Sequence, residues 1–250
     1  MSYNDTGLIF AGDIYMATIE NDTPGDFMGP INTTRLELTP PQTETVNRTS
    51  YQKDTFGQVL DSVNLPGDPP SLAMDFDSLP ATLLADTLAG KVESYDQTTT
   101  SVTAEPATLS QDVWFKLPDQ NIDPSTVTVT DTAGSTQLEK DTDFEVRAEA
   151  GLIRATSENG ATDVEIDYDT LQSSGQRILG GTELSKSRKI LMDGTNLVTG
   201  RQATVTIHKA TFSATQAMNL MSQEFITGTL EGTMNTPTGE TSPFEIVMPE

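Results

Sequence analysis

The amino-acid sequence predicts a mainly β, antiparallel fold, and three observations carry that prediction. Threonine occurs 39 times in 250 residues, and a β-branched side chain with a short polar tip suits strands that keep one face wet. Runs of alternating apolar and polar residues recur along the chain. Pairs such as Ala133-Gly134, Ala150-Gly151 and Asn159-Gly160 punctuate these runs where turns are needed. Only 35% of the residues are hydrophobic, yet a chain of this length still buries about 70% of its surface on folding.

Taken in order, Gly7 to Ile19 reads as a first strand, and Asn21 to Asp26 reads as a loop because Pro24 and Gly25 favour a turn. Arg35 to Thr39 alternates strictly, and Glu44 to Arg48 forms a further strand. Thr49 to Pro70 is polar and broken by Gly57, Pro66, Gly67, Pro69 and Pro70, which predicts a long loop. A structureless connection of that length usually binds something or is disordered, so it is the first functional candidate. Leu72 to Asp77 alternates again. Ala81, Leu84, Ala85 and Leu88 then follow helical spacing, with Asp77 or Ser78 to cap the helix, Pro80 in its first turn and Gly90 at its end.

From Asp112 the sequence predicts an antiparallel meander over 112–170, with Val113/Phe115, Val127/Val129, Phe144/Val146 and Val164/Ile166/Tyr168 as apolar faces. Period two places Asp163, Glu165, Asp167 and Asp169 on one face of its last strand, opposite that apolar wall. A basic patch follows, made of Arg177, Lys186, Arg188 and Lys189, then a loop at Asp193 to Asn196 and a strand from Ala203 to Ala210. Ser213 and Gln216 have capping-box spacing, and Ala214, Ala217, Met218 and Met221 predict a second helix. A final pair of strands, Phe225 to Met234 and Phe244 to Met248, surrounds a turn at Thr236 to Gly239.

Charge and composition exclude several functions. The chain carries 37 acidic and 14 basic residues, one histidine and no cysteine, so disulfides, thiolate nucleophiles and Cys-ligated zinc are ruled out. Residues 1–100 hold 4 basic and 15 acidic groups, 101–172 hold 4 and 15, and 173–250 hold 6 and 7, so the acidity is regional. Polyanion binding through a basic patch is not expected in so acidic a chain. His208 lies in an alternating strand without a catalytic partner in sequence and reads as structural. No phosphate loop or nucleophile elbow occurs. Calcium loops could be imagined at Asp119 to Asp123, Asp131 to Gly134 and Lys140 to Asp143, but none has the twelve-residue ligand pattern, and no metal or cofactor is expected. The sequons at Asn4, Asn21, Asn32 and Asn47 follow from the abundance of Thr. No apolar run reaches the roughly 18 residues of a membrane span, and Met1 to Asp5 lacks the features of a secretory signal, which predicts an uncleaved, soluble chain made in the cytoplasm.

Three stretches together resemble the major tail tube protein of long-tailed, non-contractile bacteriophages. They are Leu72 to Gly90, an alternating strand running into a short Ala/Leu helix; Val127 to Tyr168, containing TVTVTDTAG, DTDFEV and AGLIRAT; and Asn196 to Gly232, with its VTG turn and TVTIHKA strand. The resemblance implies an antiparallel β-sandwich or half-barrel with one or two short flanking helices over 1–250. It also implies hexameric rings stacked into a virion tail tube, and tape-measure, tail terminator and distal tail proteins as partners. DNA passes through such a tube without specific binding. On this reading the protein is not an enzyme, 112–170 elaborates the tube exterior, and Glu37 and Glu44 are lumen candidates. Tyr51, Lys53, Asp54, Phe56 and Asp61 in the long loop are then candidates for contacts between rings. The other classes considered are an extracellular calcium-binding or adhesive β-sandwich module and a carbohydrate-active enzyme; the latter fits poorly with one Trp and 6% aromatic residues.

Overall fold

The computed structural model describes residues 7–213 and 217–249, and these form two compact units. One unit is built from the chain up to Val92 and from Ile178 onward; the other is Glu93–Arg177. The strands are β1 (Phe10–Glu20), β2 (Thr23–Ile31), β3 (Thr33–Thr39), β4 (Thr43–Thr49), β5 (Val59–Pro66) and β6 (Ser71–Phe76), followed by helix α1 (Ala81–Thr87) and β7 (Lys91–Gln97). Then come β8 (Ser101–Thr108), β9 (Phe115–Lys116), β10 (Thr128–Asp131), β11 (Phe144–Arg147), β12 (Leu152–Ala155) and β13 (Asp163–Asp169). The last are β14 (Ser173–Leu179), β15 (Lys186–Asn196), β16 (Arg201–Ser213), β17 (Gly228–Asn235) and β18 (Phe244–Val247). The mainly β, antiparallel prediction is met.

In the first unit the main sheet runs β2-β1-β15-β16-β17-β6-β3, with β18 also on β16. Its two end strands, β2 and β3, are separated in sequence by Asn32 alone, so the sheet has to curl until its ends approach. Inside the curl lies a core containing Met16, Leu72, Met74, Phe76, Ile190, Ile207 and Leu230. Alternation explains this directly: in β6, Leu72, Met74 and Phe76 are buried while Ser71, Ala73 and Asp75 lie between them on the other face. Asn21 and Asp22, both in the left-handed region at φ 49° and 60°, make the β1–β2 turn, the geometry a tight hairpin requires. Pro24 and Gly25, expected in a loop, are therefore strand residues.

Parity changes once in β16. Between Arg188/Ala210 and Ile190/Ile207 the register slips by a residue, and this bulge carries His208 inward rather than to the outer face that simple alternation assigns. Here β16 exchanges neighbours: β18 pairs with residues 204–207 and β17 with 209–213. The last two strands are consequently not partners of each other. Asp193 to Asn196 continues β15, and the turn falls at Leu197–Gly200 instead, where Asn196 Oδ1 accepts the Val198 N–H at 3.1 Å. The second predicted helix involves residues 214–216, which lie outside the described residues; from Ala217 to Thr227 the chain is coil and turn.

Helix α1 forms where predicted, but its buried residues are Leu83, Ala85, Asp86 and Thr87. Pro80 stands at the N-cap without a side-chain cap. The helix ends with the Gly90 N–H on the Ala85 carbonyl at 2.7 Å and the Ala89 N–H on Asp86 at 3.2 Å, a Schellman pattern. Ala89 takes the left-handed position at φ 48°. Gly90 is needed for another reason: a Cβ there would lie 2.4 Å from the Leu179 carbonyl oxygen.

The buried face of α1 contains an ion pair. Asp86 Oδ2 accepts Arg188 Nε at 2.9 Å and Asp86 Oδ1 accepts Lys186 Nζ at 2.9 Å, with the Asp86 and Arg188 side chains each only 3% exposed. Arg188 also reaches Thr18, and Lys186 the Gly90 carbonyl. The predicted basic patch is thus dispersed. Arg188 and Lys186 clamp the helix to β15, while Arg177 pairs with Glu93 at 2.8 Å.

The second unit is wider than the predicted meander because β8, before residue 112, is the direct neighbour of β13. Two three-stranded sheets, β10-β13-β8 and β11-β12-β9, face each other across Val129, Phe144, Ile153, Val164, Ile166 and Tyr168. The Ala150-Gly151 turn does join paired strands β11 and β12, and the chain turns back after β10, with Asp131 N–H on Thr136 and Leu138 N–H on Val129. Asn159-Gly160 does not make a hairpin: it lies in a crossover, since β12 and β13 belong to different sheets. The segment 112–170, expected as an elaboration, lies within the second unit, Glu93–Arg177, which has a core of its own.

Two outcomes follow for stability. Asp86→Ala leaves a buried guanidinium without its carboxylate and should lower unfolding free energy by about 3–5 kcal/mol; a denaturant midpoint within error of wild type would refute that account. Because β7 and β14 pair, the chain enters and leaves the second unit on adjacent strands. Residues 93–177 expressed alone should give dispersed amide NMR signals, and a collapsed spectrum would show that this core needs the rest of the chain.

Candidate functional site

The predicted long loop is a β-hairpin arm. Strand β5 occupies Val59–Pro66 and pairs only with β4, from Thr43↔Pro66 to Thr49↔Val59; just Ser50 to Gln58 is loop. Diproline steps explain where the arm begins. The β3–β6 ladder ends at Thr39↔Ser71, and beyond it Pro40-Pro41 on one strand face Pro69-Pro70 on the other. Proline has no N–H to contribute, so the ladder stops there and resumes with Gln42, whose N–H meets the Asp68 carbonyl at 3.0 Å.

Every residue of β4 and β5 except Thr49 is exposed. One face is a polar ladder, in which Thr45 Oγ1 donates to Asn64 Oδ1 at 2.8 Å and Ser62 Oγ to Asn47 Oδ1 at 2.7 Å. The opposite face carries Val46, Val63 and Leu65 beside Glu44 and the Arg48–Asp61 pair, 2.6 Å apart. At the tip Tyr51 and Phe56 pack edge to face with centroids 5.8 Å apart, yet they are 83% and 71% exposed. Ser50 holds this turn: its N–H donates to Gln58 O at 2.8 Å and its carbonyl accepts from Gly57 at 2.9 Å. An isolated two-stranded hairpin is marginal in water, and this one displays large apolar side chains with nothing covering them.

Of the predicted loop residues, Tyr51, Phe56, Lys53 and Asp54 share the tip, while Asp61 lies on the shaft in its ion pair. The lumen candidates are not brought together. Glu44 stands on the arm; Glu37 stands on β3, 3.1 Å from Arg35. Arg35 donates from Nε to Asp75 Oδ2 at 2.7 Å and from NH2 to Oδ1 at 3.2 Å. These bonds hold the Asp75 carboxyl below its ordinary range; partial burial opposes the shift and the Thr229 hydroxyl supports it.

In the second unit Asp163, Glu165, Asp167 and Asp169 do share the face opposite Val164, Ile166 and Tyr168. They are not a bare acidic row, because Thr108 donates to Asp163 at 2.6 Å and the Ala104 N–H to Asp167 at 2.7 Å. The loop carboxylates weighed as calcium ligands serve their own turns: Asp131 accepts the Ala133 and Gly134 N–H groups, and Asp123 accepts Ser125 at 2.6 Å. Ser125 in this way depresses the Asp123 pKa, and Ser157 does the same for Asp143. Buried Tyr168, donating to Asp119 at 2.9 Å, is pushed upward by burial first and by that carboxylate second. No group of three or more His, Asp or Glu side chains suited to a metal occurs among the described residues. His208 is buried, with Nδ1 lacking a hydrogen bond and lying 3.4 Å from Glu240 Oε1.

Fold and site together define a mainly β protein of two units, with a hairpin arm that exposes large apolar side chains. The chain belongs to the family described as protein of unknown function UCP028589, whose profile matches residues 8–243 and so runs through both units and the arm. Among curated proteins, no sequence matches it.

Acid should weaken the fold in a defined window. Asp75, Asp123 and Asp143 have depressed folded pKa values, so their contribution is present above the unfolded carboxylate value of about 3.9 and is lost as pH falls through the folded values. Asp75→Asn should flatten the stability–pH curve below about pH 4 while leaving its slope near pH 7 unchanged; an unaltered acid limb in denaturant titrations would contradict this.

Proposed function

We propose that this protein is a structural subunit that assembles with copies of itself, as stacked rings forming a virion tail tube. The observation that carries the reading is the arm. Its exposed Tyr51, Phe56, Val46, Val63 and Leu65 have no partner in the curled sheet, and burying side chains of this size is worth about 1.5–3 kcal/mol each. Aromatic residues at the tip of a projection are typical anchors of an interface.

The acidity supports the same reading. A conduit for DNA has to avoid holding phosphates, and a wall of negative charge repels them within a Debye length of about 8 Å at physiological salt. Glu37 and Glu44 are the residues proposed to face that path, Glu37 with its charge partly offset by Arg35. The second unit is proposed as an exterior elaboration. Tape-measure, terminator and distal tail proteins are the corresponding partners, and no catalytic step is assigned to the chain.

Replacing Pro40–Pro70 with an Asn-Gly turn joins β3 to β6 at Thr39↔Ser71, the last pair of their ladder, without removing a core residue. The variant should keep the far-ultraviolet circular dichroism of the main sheet and lose assembly, whereas the full chain should form rings or tubes by electron microscopy when concentrated. A full chain that stays monomeric in sedimentation at every concentration would remove this reading.

A further inference from the structure

The curled sheet of the first unit is not closed. Strand β2 pairs with β1 only from Ile14 to Glu20, so among the described residues Phe10 to Asp13 have a backbone edge without a neighbour on that side. Strand β3 pairs with β6 and, among the described residues, has no neighbour in the sheet on its other edge. Between these two edges lies a cleft of about 350 Å³, with Phe10, Thr34, Leu36, Leu38 and Ile246 along it. Its floor includes Ile14, Met192 and Val205, which belong to the hydrophobic core. In a chain with 37 acidic residues, Arg35 is the only charged residue among the described residues that line this cleft.

We infer that this seam receives the arm of a second copy. The inference rests on the self-assembly reading and names the two surfaces that would meet. Among the described residues each strand of the arm pairs only with the other, which leaves both outer edges open to strand addition. Val46, Val63 and Leu65 on one face of the arm match this apolar floor, and the Arg48–Asp61 pair on the same face neutralises itself. Its six charged residues, Glu44, Arg48, Lys53, Asp54, Asp61 and Asp68, leave it only two negative charges, so it approaches the seam with little of the repulsion that the chain as a whole would meet.

The arm is kept from its own seam by its root. Pro40-Pro41 and Pro69-Pro70 stiffen both connections, and the Gln42 pairing with Gly67 and Asp68 directs the arm away as a continuation of the β3–β6 ribbon. Donor and acceptor are different surfaces of one chain. Unless two copies exchange arms reciprocally, such a contact is heterologous and generates rings or open stacks.

The chain has no cysteine, so single replacements report contacts cleanly. Thr34→Cys at the seam, mixed with Val46→Cys on the apolar face of the arm and oxidised under assembly conditions, should give at least about tenfold more disulfide-linked heterodimer than Thr34→Cys mixed with Asn47→Cys on the polar face, because docking raises the local thiol concentration toward the millimolar range. Rings or tubes that form with no preference for Val46 over Asn47 would overturn the seam assignment and leave self-assembly standing. Absence of any assembly by the unsubstituted chain would overturn both.

Discussion

A hydrogen-bond ladder cannot run through proline on both of its strands, and the shape of the first unit depends on that. Strands β3 and β6 and strands β4 and β5 belong to one long ribbon, interrupted at a single level by Pro40-Pro41 and Pro69-Pro70. Below the break the ribbon lies on the core through Leu36, Leu38, Leu72 and Met74. Above it, the same backbone conformation continues without any core to cover. The prolines thus separate a buried hairpin from an exposed one and fix where the arm leaves the sheet.

The remainder of the unit answers to two further constraints. Asn32 alone links the sheet's end strands, which forces the curl, and Asn32 Nδ2 donates to Asp77 at 2.6 Å to tie the corner. Helix α1 is then held across β15 by the Asp86–Arg188 pair. A buried ion pair adds little net stability compared with apolar packing, but it fails badly when half of it is removed. Its value here is positional: a carboxylate with both oxygens engaged by Arg188 and Lys186 permits only one placement of a helix too short to hold itself by propensity.

Much of this was legible in the residues. Alternation located β3, β4, β6, β13 and β16, and helical spacing with Pro80 and Gly90 located α1. The arm was legible as a functional candidate but not as a hairpin. Val59, Val63 and Leu65 do follow strand spacing, yet the prolines and glycines around them outweighed that signal. Charge grouped Arg188 into a basic patch, whereas the folded chain buries it against Asp86. The Asn159-Gly160 pair marked a turn correctly but could not say that its flanking strands would join different sheets.

By itself the sequence determined what is local: which residues extend, which face of β13 is acidic, which positions need a turn, and the absence of thiol and multi-histidine chemistry. Each depends on backbone sterics, side-chain period or the plain inventory of functional groups. Tertiary structure alone decided the pairing of β8 with β13, the exchange of neighbours on β16 around the His208 bulge, the burial of Asp86 against Arg188 and the seam between β1 and β3. Those contacts join residues far apart along the chain, and their geometry is fixed only when a sheet curls around a shared core.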